Sequence, residues 1–205
     1  QTYIKNFPGT KIFEEDIENI DSKLLLDNHK NVDVIVGGPP CQGYSGIGHR
    51  RSHYVDKDKI PSNYLYKDMA KCIKELNPKI FLFENVRGLL TSKWTNQGKK
   101  GEIWQDVIKS FSKLKNYNID WELLKAKEYG VPQNRPRIIL VGIRNDIKFK
   151  SLSKTANGLL PDGGLNPPHL KDVLSDLIDI NYTPGGATKL YPRKATTKFQ
   201  QEIRK

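Results

Sequence analysis

Apolar residues fall into short runs and spaced stripes that divide the chain into strands and helices. Val32, Val34, Ile35 and Val36 form a β-branched run that stops at Gly37-Gly38, which reads as a buried strand ending in a tight turn. Ile80-Phe81-Leu82-Phe83 lies in a second buried strand, Lys79 to Val86, and further strands are expected at Asn118 to Ala126 and Ile138 to Arg144. Helical spacing of Leu65, Met69, Ile73 and Leu76 predicts an amphipathic helix over Tyr64 to Leu76, ended by Asn77-Pro78. Ile103, Val107, Ile108 and Phe111 mark another over Ile103 to Leu114. Shorter elements are expected at both ends: a helix tail at Gln1 to Phe7, a strand at Lys11 to Glu14, and helices at Ile17 to Leu26 and Leu170 to Ile178. Strands alternating with helices indicate an α/β fold.

Polar stretches carry the candidate chemistry. Cys41 follows the first strand directly, held between Pro39-Pro40 and Gln42-Gly43, and ligand crevices of open α/β sheets lie at the carboxyl ends of strands. A lone thiol is more often a small buried hydrophobe, so position alone makes Cys41 a candidate nucleophile and no more. The second strand ends in Glu84 and Asn85, a polar pair closing an apolar run. Arg135 and Arg137 alternate at the head of the last strand and point the same way, and planar guanidinium forks suit a carbonyl or a phosphate. Gly46 to Asn63, with His49, Arg50, Arg51, His53 and Lys57, has no apolar periodicity and reads as a mobile lid or binding loop. Arg50 and Arg51 are candidates for phosphate contact, against the plainer reading of a solvated face. Asp16 reads as the N-cap of the helix it precedes, and Cys72 as a structural thiol beside an apolar helix face.

The balance of 34 Lys+Arg against 23 Asp+Glu, a net charge of +11, favours a polyanionic partner without proving one. No apolar run approaches the roughly 18 residues of a membrane span and no signal peptide is visible, so a cytoplasmic protein is expected. The two cysteines form no CxxC or Cys/His cluster, which argues against a disulfide framework and a metal site. Gln1 is not a translation start, so a preceding segment is expected.

GGPPCQGYS with Cys41, FLFENV with Glu84 and Asn85, and QNRPR with Gln133, Arg135 and Arg137 together resemble three ordered signatures of the cytosine-C5 DNA methyltransferases of bacterial restriction-modification systems. The resemblance runs from about Gln1 to about Ile180. It implies an α/β, Rossmann-like S-adenosyl-L-methionine-dependent sheet with flanking helices, and methylation of carbon 5 of a flipped-out cytosine in double-stranded DNA. In that reading Cys41 adds to carbon 6, Glu84 shares a proton with ring nitrogen 3, and Arg137 with Arg135 orients the base carbonyl. Asp16, Ile17, Pro40 and Leu65 would line the cofactor pocket, Asn85 would brace the Pro-Cys loop, and Gln42 and Ser45 would contact DNA. Residues 1–180 would be the catalytic domain and 181–205 the start of a target-recognition region or a linker. The family's Asp-x-Arg-Asn pattern is broken at Asp58 to Asn63, which lacks the arginine.

Two features of the family are absent altogether: the strand with a Phe-x-Gly-x-Gly cofactor loop and the strand ending in an acidic ribose ligand. The resemblance therefore implies a partial sheet without its first two strands. The chain would be a piece of a longer one, monomeric on DNA when complete, or one subunit of a split enzyme, and its 205 residues alone would bind the cofactor poorly. A tRNA cytosine-C5 methyltransferase and a catalytically incomplete DNA-binding relative are the alternatives. A Cys41 hydrolase using His49 or His53 is disfavoured, because the thiol follows a strand and the histidines lie in the expected lid.

Overall fold

The computed structural model describes residues 2–20, 31–40, 56–148, 150, 155–178 and 191–204. Its elements are α1 (Thr2–Asn6), β1 (Val34–Gly37), α2 (Leu65–Leu76), β2 (Ile80–Val86), α3 (Glu102–Phe111), β3 (Tyr117–Lys125), β4 (Pro136–Arg144), α4 (Leu170–Leu174) and α5 (Lys198–Ile203). The strands form a sheet in the order β1-β2-β4-β3. Two compact units divide the chain, one of residues 1–120 with 140–149 and the other of 121–139 with 150–205.

In the first unit β1 and β2 are parallel, with Val34 opposite Ile80 and Gly37 opposite Phe83. The Arg144 N–H donates to the Lys79 carbonyl at 2.9 Å, so β4 ends where β2 begins and runs against it. Side chains alternate along β2, and Phe81, Phe83 and Asn85 are its buried ones. Phe111 of α3 stacks on the Phe81 ring at 5.6 Å and reaches Phe83 at 5.3 Å, while Tyr117 meets Phe81 edge-on at 5.2 Å. On α2 the buried residues are Tyr66, Met69 and Ile73; Asn77 then turns left-handed, φ 44°, and ends the helix. The Tyr117 hydroxyl donates to the Pro78 carbonyl at 2.6 Å, and burial pushes that phenol up to about 12.

Gly142 is required by close approach. A Cβ there would collide with the ring of fully buried Phe81, whose Cδ1 would lie 2.7 Å away. Gly142→Ala is expected to lower unfolding free energy by about 1–3 kcal/mol through overpacking. A urea midpoint equal to the parent's would contradict this contact.

Several elements differ from the sequence reading. Lys11 to Glu14 forms no strand; Lys11 instead places its ammonium 5.0 Å from the Phe13 ring centroid. A strand needs a neighbour to satisfy its backbone, and none of the described strands pairs there. β1 is not buried on both faces: Val34 and Val36 are 52% and 70% exposed, because β1 lies at the end of the strand order and that face has no described cover. The helix expected over Ile17 to Leu26 is instead a single 3-10 turn, Ile17–Asn19, closed by Ile20 in extended backbone, and the rest of the expected range lies outside the described residues. The end of the expected lid is folded into 3-10 turns at Lys57–Lys59 and Pro61–Tyr64, with Asn63 buried.

In the second unit the Ala126 N–H donates to the Arg135 carbonyl at 3.2 Å, and the Gly164 and Leu165 N–H groups both donate to the Glu128 carbonyl at 2.9 Å. Residues 181–205, expected to be the start of a target-recognition region or a linker, contain α5, whose Gln200 is fully buried. Gln200 Oε1 accepts from the Thr196 and Thr197 N–H groups at 2.8 and 3.2 Å, and its Nε2 donates to Ser175 Oγ at 2.9 Å. Thr197 completes a capping box with Gln200. This core is polar, so an apolar pattern could not disclose it.

Candidate active site

The β1–β2 register places Gly38, one residue beyond the last paired position, level with Glu84. A Cβ on Gly38 would lie 3.2 Å from Glu84 Oε2, so the carboxylate rests against the Gly38 backbone and a side chain there would crowd it. Asn85, 4% exposed, leaves β2 on the opposite side. Its Nδ2 donates to the Pro39 carbonyl at 3.2 Å and its Oδ1 accepts from the Val86 N–H at 2.9 Å. The ends of β1 and β2 are thus tied together two residues before Cys41. Cys41, Gln42, Ser45, Arg50 and Arg51 themselves lie outside the described residues.

Arg135 and Arg137 belong to the second unit. Arg135 is exposed, with its backbone carbonyl held by Ala126, while half-buried Arg137 donates from Nη1 to the Pro136 carbonyl at 2.8 Å. Asp16 is exposed and caps the Ile17–Asn19 turn, its Oδ1 accepting from the Glu18 N–H at 3.3 Å. Ile17 is 38% exposed, Pro40 is exposed and Leu65, the first residue of α2, is half-buried. The second thiol, Cys72, is pushed up by burial and then by the Glu75 and Asp68 carboxylates, which makes it a poor nucleophile.

Sequence reasoning overlooked Trp94. Its N–H donates to Glu102 Oε1 at 2.6 Å, its carbonyl accepts from the Lys57 N–H at 2.8 Å, and its ring stacks on Tyr64 at 4.8 Å. The residue sits in a connection without periodicity, so nothing local marked it.

A family model described as C-5 cytosine-specific DNA methylase matches residues 1–204. The chain belongs to that family. Among its relatives, the Type II methyltransferase M.DdeI of Desulfomicrobium norvegicum is 34% identical over all of the chain and 46% of its own length. M1.HphI of Haemophilus parahaemolyticus, also a Type II methyltransferase, is 34% identical over 96% of the chain and 51% of its own length. The chain therefore spans about half the length of these curated relatives. An E. coli crystal structure assigned as a prophage-encoded DNA modification methyltransferase superposes with a TM-score of 0.63 at 29% identity, covering 87% of this chain and 45% of that one. The sheet with flanking helices is accordingly part of the methyltransferase fold. No described helix is long and apolar enough to cross a membrane, and no group of metal-ligating side chains occurs among the described residues.

Proposed function

We propose that this protein methylates carbon 5 of a flipped-out cytosine in duplex DNA, as part of a Type II restriction-modification system, with S-adenosyl-L-methionine as methyl donor. The observation that carries the reading is the junction of the two strand ends, where Asn85 holds Pro39 and the Glu84 carboxylate rests on Gly38. Cys41 follows Pro39 by two positions along the chain, and this short separation from the Glu84 junction supports pairing the thiol with the acid.

The chemistry follows from the residue types. Carbon 5 of cytosine is too weak a nucleophile to take a methyl group until the ring is activated. The Cys41 thiolate forms a bond to carbon 6, and the electron pair of the 5,6 double bond moves into the ring toward nitrogen 3. Glu84 shares a proton there and offsets the developing charge, while Arg137 and Arg135 bind the base carbonyl and hold its plane. After the methyl group is gained at carbon 5, loss of the carbon 5 proton returns an electron pair that expels the Cys41 thiolate. Gln42, Ser45, Arg50 and Arg51 contact the DNA around the flipped base.

Ile17, Pro40 and Leu65 leave apolar surface, and Asp16 uses only Oδ1 in its cap. These groups fit a purine with an exocyclic amine, and S-adenosyl-L-methionine bound there supplies an electrophilic methyl group. The outer edge of β1 has no strand partner among the described residues, which supports completion of the sheet and cofactor pocket by a further segment or a second subunit.

Glu84→Gln keeps a hydrogen bond but removes the acid. Single-turnover methyl transfer to duplex DNA, by the protein with its sheet completed, is expected to fall about 10²–10³-fold, the scale for one lost electrostatic stabiliser. DNA affinity should change far less. Unchanged turnover would refute the role.

A further inference from the structure

Beside α2 and α3 lies an open, polar hollow of about 320 Å³ on the first unit, and its lining carries more cations than anions. Lys67 of α2, Lys109 of α3 and Lys113 in the turn after α3 contribute three cations. Asp106 is the single lining carboxylate, and its Oδ2 accepts the Trp94 indole N–H at 2.7 Å. Lys109 and Lys113 form no ion pair among the described residues. Lys67 sets its ammonium 4.4 Å from the centroid of the Tyr64 ring, which is stacked on Trp94 with the planes 11° apart. Gathering three ammonium groups with one committed carboxylate costs repulsion and contributes nothing visible to the core beneath. Anionic oxygens entering from solvent would relieve it, and adjoining rings suit the sugar and base that accompany a phosphate.

We infer that this hollow is an accessory anion site that takes consecutive phosphates of a polynucleotide backbone, separate from the cytosine-reacting centre. Its cations are spread over two helices and the turn after the second, which matches a chain of phosphates better than one anion. The inference does not depend on the role given to Cys41.

The test uses the full chain and a fluorescent single-stranded oligothymidylate of about ten nucleotides, followed by anisotropy across a salt series. This probe offers no cytosine, so failure here leaves the methyl-transfer reading standing, and failure of that reading leaves this site standing. A triple variant, Lys67→Gln, Lys109→Gln and Lys113→Gln, should bind at least about tenfold more weakly and lose about two units of slope in log K against log salt. A second triple variant, Lys71→Gln, Lys74→Gln and Lys115→Gln, removes the same charge from exposed positions outside the hollow and should bind nearly as the parent does. Circular dichroism confirms that both fold. Equal losses in the two variants would mean a diffuse field and would overturn the site, as would no loss in either. Thymidine monophosphate is the competitor for source: displacement of the probe at equal phosphate concentration would assign the hollow to a free nucleotide and overturn the backbone reading.

Discussion

Cys41→Ser is expected to abolish methyl transfer, by more than about a thousandfold, while leaving the fold unchanged. One sulfur is exchanged for an oxygen of similar shape whose conjugate base is inaccessible near neutral pH, so the attack on carbon 6 is lost but the packing is not. Cys72→Ser should remain active, because Cys72 is a half-buried thiol whose ionisation is opposed by burial and by two nearby carboxylates. DNA containing 5-fluorocytosine gives an independent reading, since a ring that cannot lose its carbon 5 substituent stays bonded to the enzyme. The trapped complex should survive denaturation in the parent and fail to form in the Cys41 variant. Activity that depends on Cys72 instead would overturn the assignment.

The largest expected loss of stability comes from the second unit. Arg204 donates from Nε to Asp176 Oδ2 at 3.0 Å and from Nη2 to Oδ1 at 3.3 Å, and also to the Val173 carbonyl at 3.2 Å. Its guanidinium lies over the Tyr191 ring at 4.6 Å, and the Asp176 side chain is only 1% exposed. Arg204→Met keeps the aliphatic stem but leaves the little-exposed Asp176 carboxylate without its cation, which destabilises the fold because one partner of the pair is removed and the other stays. Hydrogen exchange of α4 and α5 should accelerate accordingly, while exchange in β2 stays unchanged. Adding Asp176→Leu to Arg204→Met removes the stranded charge and should restore most of the protection. Exchange that is unaltered in the single variant would show that the pair does not hold the two helices together.

Much of the architecture is legible in the order of residues, because an element's inward face repeats at a fixed local period. Met69 and Ile73 on α2, Val107 and Phe111 on α3, and Phe81 and Phe83 on β2 occupy the core positions that spacing assigns them. Trp104 and Tyr66 are buried as well, outside the positions that the spacing picked out. The polar pair Glu84 and Asn85 could be placed at a strand end, but not the opposite directions of its two side chains, one to Gly38 and the other to Pro39.

What the sequence determines by itself is the family, through three short motifs in order, and the strands that bear them. The tertiary structure alone decides which strand faces are covered, since Val34 and Val36 carry the same apolar signal whether or not anything packs on them. It alone decides that Trp94 ties a connection to Lys57, Tyr64 and Glu102, and that Gln200, Asp176 and Arg204 make a core from polar groups. The reason is physical: periodicity records the local facing of a side chain, whereas register, partners and burial of polar groups depend on residues distant in the chain.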